Sequence, residues 1–240
     1  MASKQGRLLT NMRYLLILVS MLLLCGQVQA RKVASLMRVT SGCQTYSDNG
    51  FSFPSGRLYQ GDKVLLVSKS SSTARLIGTD GLECFVPLAN LSFIETISDS
   101  GVKRRIVMFV KQLRERPYDT AYIDAQAAPW VALMARVLGN TKTAALPDLS
   151  TFGQTSYATA TLEVANKTQY TLRMVLSGPK SIVREIRPGG TWTEVVPDGS
   201  YDAFVETTSG KVTPLHSTWS ARLGYRQGVR LFIQTRYSRY

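Results

Sequence analysis

The chain has 240 residues, 44% hydrophobic and 19% charged, a balance that excludes global disorder and leaves room for one or two domains with their own cores. With 29 Lys and Arg against 16 Asp and Glu, the formal net charge is +13, which favours polyanionic surroundings such as nucleic acid, acidic polysaccharide, anionic lipid or a charged wall polymer. The charges are spread rather than clustered, so the plain reading is a soluble protein with a basic surface, and a polyanion partner is the alternative.

Residues 1–30 read as a secretory signal. Lys4, Arg7 and Arg13 form its basic start, Tyr14 to Leu24 its apolar run, and Val28-Gln29-Ala30 fits the small-x-small cleavage pattern, so the exported chain is expected to begin at Arg31. Cleavage removes three basic residues and no acid, lowering the net charge to +10. The apolar run is short for a bilayer, and no transmembrane span is expected after cleavage. Cys25-Gly26 raises an alternative, a lipoprotein anchored through an acylated Cys25, although Leu24 stands where a small residue is usual.

Export leaves Cys43 and Cys84, an even number in an oxidising compartment, which favours a disulfide over two buried free thiols. A zinc site is disfavoured, because His216 is the only histidine and zinc takes four ligands.

From Val39 to Ile94 the pattern is β. Val64–Val67 and Ala74–Ile77 are strand-like, and Thr79-Asp80-Gly81 is a tight turn before Cys84-Phe85-Val86. Gly61-Asp62-Lys63-Val64, Thr79 to Pro87 and Asn90-Leu91 together resemble the second half of a bacterial SH3-like domain. Cys84 stands where that family usually has Gly, and Tyr46–Arg57 replaces the family's first-half signature. The resemblance implies a small barrel whose first and last strands pair, bringing Cys43 near Cys84. It also implies binding of peptides, including wall peptides, through an aromatic groove, for which Tyr46, Phe51, Phe53 and Tyr59 are the candidates. Phe85 is read as a core residue.

Between Gly101 and Gly139 the period becomes helical. Ile106, Phe109, Val110 and Leu113 share one face of a helix ended by Pro117, and Lys103, Arg104, Arg105, Lys111 and Arg114 make a basic outer surface. That surface is either a solvated face or a contact for a polyanion or membrane. A second helix is predicted with Pro129 in its first turn and Trp130, Leu133, Met134, Val137 and Leu138 as its apolar stripe. Residues 140–156, rich in Thr, Ala and Ser, read as a linker.

The β pattern then resumes in Ala160–Val164, Tyr170–Leu176, Ser181–Ile186 and Arg230–Arg236. Between the third and last of these, Pro188-Gly189-Gly190 and Pro197-Asp198-Gly199 are turn signals. They frame a β-meander in which Tyr201, Ala203 and Val205 alternate with Ser200, Asp202 and Glu206. Short strands at this spacing predict an antiparallel β-sandwich. The phrases from Asn166 to Tyr201 resemble an exported bacterial β-domain family of unassigned activity, over residues 160–235.

The fold expectation is therefore mainly β: a signal peptide (1–30), an SH3-like barrel (31–100), a helical connector (101–139), a linker (140–156) and a β-sandwich (157–240). No phosphate-binding or dinucleotide loop and no DNA-reading motif is present, and His216 alone does not make a serine triad. Asp198 is accounted for by its turn, and Glu194, Asp202 and Glu206 by the solvent faces of strands, leaving no carboxylate pair for glycoside hydrolysis. Asn166-Lys167-Thr168 is a glycosylation acceptor only in a eukaryotic secretory host. The closing Arg236-Tyr237-Ser238-Arg239-Tyr240 has polar residues where a lipid-facing strand needs apolar ones, so a membrane barrel is rejected. The expectation is a non-catalytic, cofactor-free envelope protein that binds a wall component or protein partner. The alternatives are a structural subunit of an envelope assembly, a cryptic hydrolase and a non-specific polyanion binder.

Overall fold

A computed structural model describes residues 30–139, 141, 143–156, 158–210 and 212–232. The signal segment up to Gln29, Cys25 and the Arg236–Tyr240 tail lie outside the described residues. The described residues from Lys32 onward form one compact unit. It is mainly β, with three sheets and two long helices.

The first sheet holds β1 (Lys32–Val39), β2 (Cys43–Tyr46), β3 (Pro54–Leu58), β4 (Lys63–Lys69), β5 (Thr73–Ile77), β6 (Glu83–Pro87) and β7 (Leu91–Ser98), in the order β3-β2-β6-β5-β4-β1-β7. The predicted Val64–Val67 and Ala74–Ile77 strands are the centres of β4 and β5. Between β5 and β6, Gly81 (φ 81°) closes the turn, while Asp80 accepts from the Leu82 amide at 2.9 Å. The strand before Val39 was missed, because Val33, Ala34, Leu36 and Met37 make no clean alternation when both faces of β1 are covered.

Helix α1 (Asp99–Glu115) is capped by Ser98, whose hydroxyl accepts from the Gly101 amide at 3.1 Å. Its buried face is Val102, Ile106, Phe109 and Val110, close to the predicted stripe. Helix α2 (Thr120–Gly139) starts nine residues before Pro129, so the expected helix start is corrected. Ile123, Ala127 and Ala128 are buried apolar positions on the turns before Pro129, and with Val131 and Met134 after it they make one continuous buried face whose burial outweighs the roughly 3 kcal/mol cost of an interior proline.

The two helices of the expected connector form a layer. Ala34, Leu36, Leu65 and Ile77 of the first sheet, the buried faces of α1 and α2, and Val175, Val183 and Phe204 further along belong to one continuous core.

The remaining strands are β8 (Ala144–Ala145), β9 (Ser150–Gln154), β10 (Ala160–Asn166), β11 (Leu172–Ser177), β12 (Ile182–Ile186), β13 (Thr191–Val196), β14 (Gly199–Thr207), β15 (Leu215–Ala221) and β16 (Tyr225–Leu231). They build a four-stranded sheet, β13-β10-β16-β9, and a five-stranded sheet, β12-β11-β14-β15-β8, which share a second core around Leu162, Met174, Tyr201 and Trp219. Four expectations are corrected here. The segment read as a linker supplies β8 and β9, paired to β15 and β16. The sheets are mixed, since β10 runs parallel to β16 and β8 to β15; distant strands need no hairpin between them. The last strand among the described residues starts at Tyr225, five residues before the expected Arg230, and residues 233–236 of the expected strand lie outside the described residues. Finally, β13 and β14 do not form a meander, because β13 pairs with β10 and β14 with β11 and β15. Turn residues specify that the chain reverses, not the sheet in which it continues.

Along β14, Tyr201, Ala203 and Val205 enter the second core as the alternation predicts. Phe204 is also buried, on the opposite face against the helices. The five-stranded sheet is thus covered on both sides.

Candidate functional site

The β2–β3 hairpin carries three of the four predicted aromatics. The Asp48 carboxylate accepts from the amides of Gly50 (3.0 Å), Ser52 (3.0 Å) and Phe53 (2.8 Å), which closes the loop. These bonds, that from Phe53 first, hold the Asp48 carboxyl below its ordinary value of 3.8. Phe51 sits at φ 58°, a left-handed conformation costing a bulky residue about 1–2 kcal/mol. In that conformation its ring meets Tyr46 at 5.0 Å between centroids, tilted by 57°. Phe53 is 66% exposed beside them. Tyr59 is equally exposed but lies beyond the far end of β3, about 20 Å of strand from Phe53. The expected groove of four aromatics is therefore a cluster of three, with Tyr59 apart. Phe85, half-buried, stands opposite Tyr46 in register.

Cys43 and Cys84 pack into one core cluster as free thiols. Where a disulfide was expected, both are free thiols, Cys43 on β2 and Cys84 on β6. Burial pushes the Cys84 thiol up to about 12 and raises Cys43 as well.

The predicted basic surface on α1 is largely spent on the chain's own acids. Lys103 faces Glu206 at 3.7 Å, Arg105 faces Glu95 at 3.3 Å, Lys111 faces Glu115 at 3.7 Å, and Arg114 pairs with Glu185. Arg104 is exposed and makes no ion pair among the described residues. Two of the acids, Glu185 and Glu206, are also held by Arg173 at 3.3 and 3.0 Å and are almost covered. Glu194 accepts from Arg184 at 3.0 Å and pairs with Lys180. Glu194 and Glu206 are thus parts of ion-pair networks rather than solvent-facing residues.

A cavity of about 580 Å³ lies where the first sheet meets α1 and α2, touching the Gly61-Asp62-Lys63 phrase and Thr79. Its apolar side includes Phe109, Pro129 and Trp130, with the Arg105 guanidinium 5.2 Å from the Trp130 ring. Gln112, Tyr122, Gln126 and Lys63 supply its polar side. On the helices, the spacing of Gln112 with Phe109, and of Gln126 with Tyr122 and Pro129, hints at it in the sequence.

His216 lies flat on Phe204, ring centroids 4.2 Å apart, with its Nε2 3.8 Å from Asp202, beyond hydrogen-bond reach. Among the described residues no group of three His, Cys, Asp or Glu could hold a metal ion, and no helix is long and apolar enough to cross a membrane. Asn166 is fully buried. Its amide donates to the Tyr170 and Ile186 carbonyls, and its oxygen accepts from Thr168, so it is structural and not a folded-state glycosylation acceptor.

Comparisons with family models, curated proteins and solved structures found no match.

Proposed function

We propose that this protein is an exported, non-catalytic binding module of the cell envelope. Its domains are an SH3-like barrel and a C-terminal β-sandwich on either side of the helical layer. It recognises a wall component or protein partner through the aromatic hairpin of Tyr46, Phe51 and Phe53. The single observation that carries this reading is the hairpin's preorganisation. Asp48 closes the loop, Phe51 is held in an unfavourable backbone conformation, and Phe53 is left in water. Strain kept in an exposed loop is characteristic of binding sites, and a rigid aromatic surface loses little entropy on contact. Pairing of β1 with β7 supports the barrel reading. The internal pairing of Lys103, Arg105, Lys111 and Arg114 favours recognition by the hairpin over attraction to polyanions. Sedimentation of the mature chain with purified wall material tests the reading; retention that persists at 0.5 M salt supports it, and a chain that stays in the supernatant refutes wall recognition.

A further inference from the structure

The cavity beneath α1 and α2 has unengaged polar groups with a consistent chemistry. Pro129 has no N–H, so the Ala125 carbonyl one turn earlier lacks the bond that residue 129 of a regular helix would donate. Ala125 and Pro129 both line the cavity. The side chains of Gln112, Tyr122, Gln126 and Lys63 line it too, and none makes a hydrogen bond or ion pair among the described residues. Asp62 and Arg105, by contrast, are occupied. Asp62 accepts from the Tyr59 amide at 2.8 Å, and Arg105 lies between Glu95 and Trp130.

At the sheet end Lys63 makes no ion pair, and the Asp62 carboxylate beside it is turned to the Tyr59 amide. Lys63 stands directly opposite Arg38 in the β1–β4 register, on the face that carries Leu36 and Leu65. Like charges opposed across a ladder repel, and an anion beside Lys63 relieves that repulsion. The cavity therefore offers an unpaired ammonium, two carboxamides and a backbone carbonyl without its usual helical donor along one side, and an indole ring on the other.

We propose that this cavity binds an N-acylated α-amino acid or short peptide through its free carboxylate. Lys63 takes the carboxylate, Gln112 and Gln126 pair with the ligand's amides, the Ala125 carbonyl accepts an amide N–H, and an apolar side chain rests on Trp130. A half-open volume of about 580 Å³ accommodates a dipeptide, within the usual range for small-ligand pockets. The site rests on reading the protein as a binding module but uses no hairpin residue.

The test is a titration of the mature chain with N-acetyl-L-phenylalanyl-L-alanine and, separately, its C-terminal amide, following the three tryptophan indole N–H signals by NMR. The Trp130 signal, assigned with Trp130→Phe, is expected to move with the acid while Trp192 and Trp219 stay still. The amide should bind about tenfold more weakly or less, as loss of a charge-assisted contact implies. Lys63→Gln should weaken the acid to the level of the amide. Pro129→Ala, which restores the N–H donor to Ala125, should weaken both several-fold while raising thermal stability. Equal binding of acid and amide, a silent Trp130, or full binding by Lys63→Gln overturns the proposal. Because the probe is soluble and the hairpin is unaltered, failure here is separable from failure of wall retention.

Discussion

Arg184 on β12 donates from both terminal nitrogens to the Asp124 carboxylate on α2, each bond 2.7 Å long. Asp124 is 4% exposed, so this fork fastens the helical layer to the edge of the five-stranded sheet out of reach of water. Removing Asp124 leaves Arg184 with Glu194, at 3.0 Å, as its carboxylate partner. Asp124→Ala is expected to lower the unfolding free energy by about 1.5–3 kcal/mol, the loss of charge-assisted hydrogen bonds, measured by urea denaturation. Asp124→Leu combined with Arg184→Leu should recover much of that loss. A single-variant loss below about 1 kcal/mol would show that the pair is solvated.

Gly81 is constrained twice. Its φ is 81°, and a Cβ there would come within 2.9 Å of the Ala128 carbonyl oxygen on α2. Gly81→Ala therefore strains the turn and presses the β5–β6 hairpin away from the helix. The expected cost is about 1–3 kcal/mol, seen as a lower Tm without loss of the folded baseline. Unchanged stability would mean that the turn does not rest on α2.

The buried Cys84 thiol and Tyr201 hydroxyl are both pushed up to about 12, chiefly by burial, from ordinary values of 9.0 and 10.0. In the unfolded chain both ionise at those ordinary values, whereas the fold keeps them neutral. Their contribution is complete below pH 9 and is lost as pH rises towards 12. Unfolding free energy should therefore fall across that window, and Cys84→Ala should flatten its lower part. Thiol titration of denatured, non-reduced chain should find both Cys43 and Cys84 reactive.

Asp48 behaves in the opposite sense. Its carboxyl is held below 3.8, so the ordering it gives the hairpin is present above that pH and lost below it. Asp48→Ala should broaden or shift the Phe51 and Phe53 amide signals at neutral pH while leaving the global Tm within a degree or two. An unchanged hairpin spectrum would contradict the closing role of Asp48.

The sequence's legibility followed from whether one physical signal or two acted on a residue. Ile106, Phe109 and Val110 show a single helical stripe, and Tyr201, Ala203 and Val205 a single strand face; both readings match the buried faces. Where two partners cover one element the period fails: β1 is apolar on both faces, and Phe204 is buried on the side assigned to solvent. The start of α2 was hidden because Pro129 is a strong local signal and the burial that overrides it is tertiary. The aromatic hairpin was suggested by the SH3-like resemblance, but Asp48's closing bonds and the Phe51 conformation belong to loop geometry. Two of the four ion pairs on α1 among the described residues, those with Glu185 and Glu206, come from residues distant in sequence, so the basic stripe looked free. The cavity was invisible for the same reason.

The central claim, that the hairpin of Tyr46, Phe51 and Phe53 is the recognition surface, is tested most directly by binding isotherms on purified wall material. The mature chain should be compared with a Tyr46→Ala, Phe53→Ser double variant at 0.5 M salt. The account predicts saturable retention by the parent chain and at least a tenfold loss in the variant, with both proteins showing the same Tm. Equal retention of the two, or retention of the parent chain only at low salt, would contradict it.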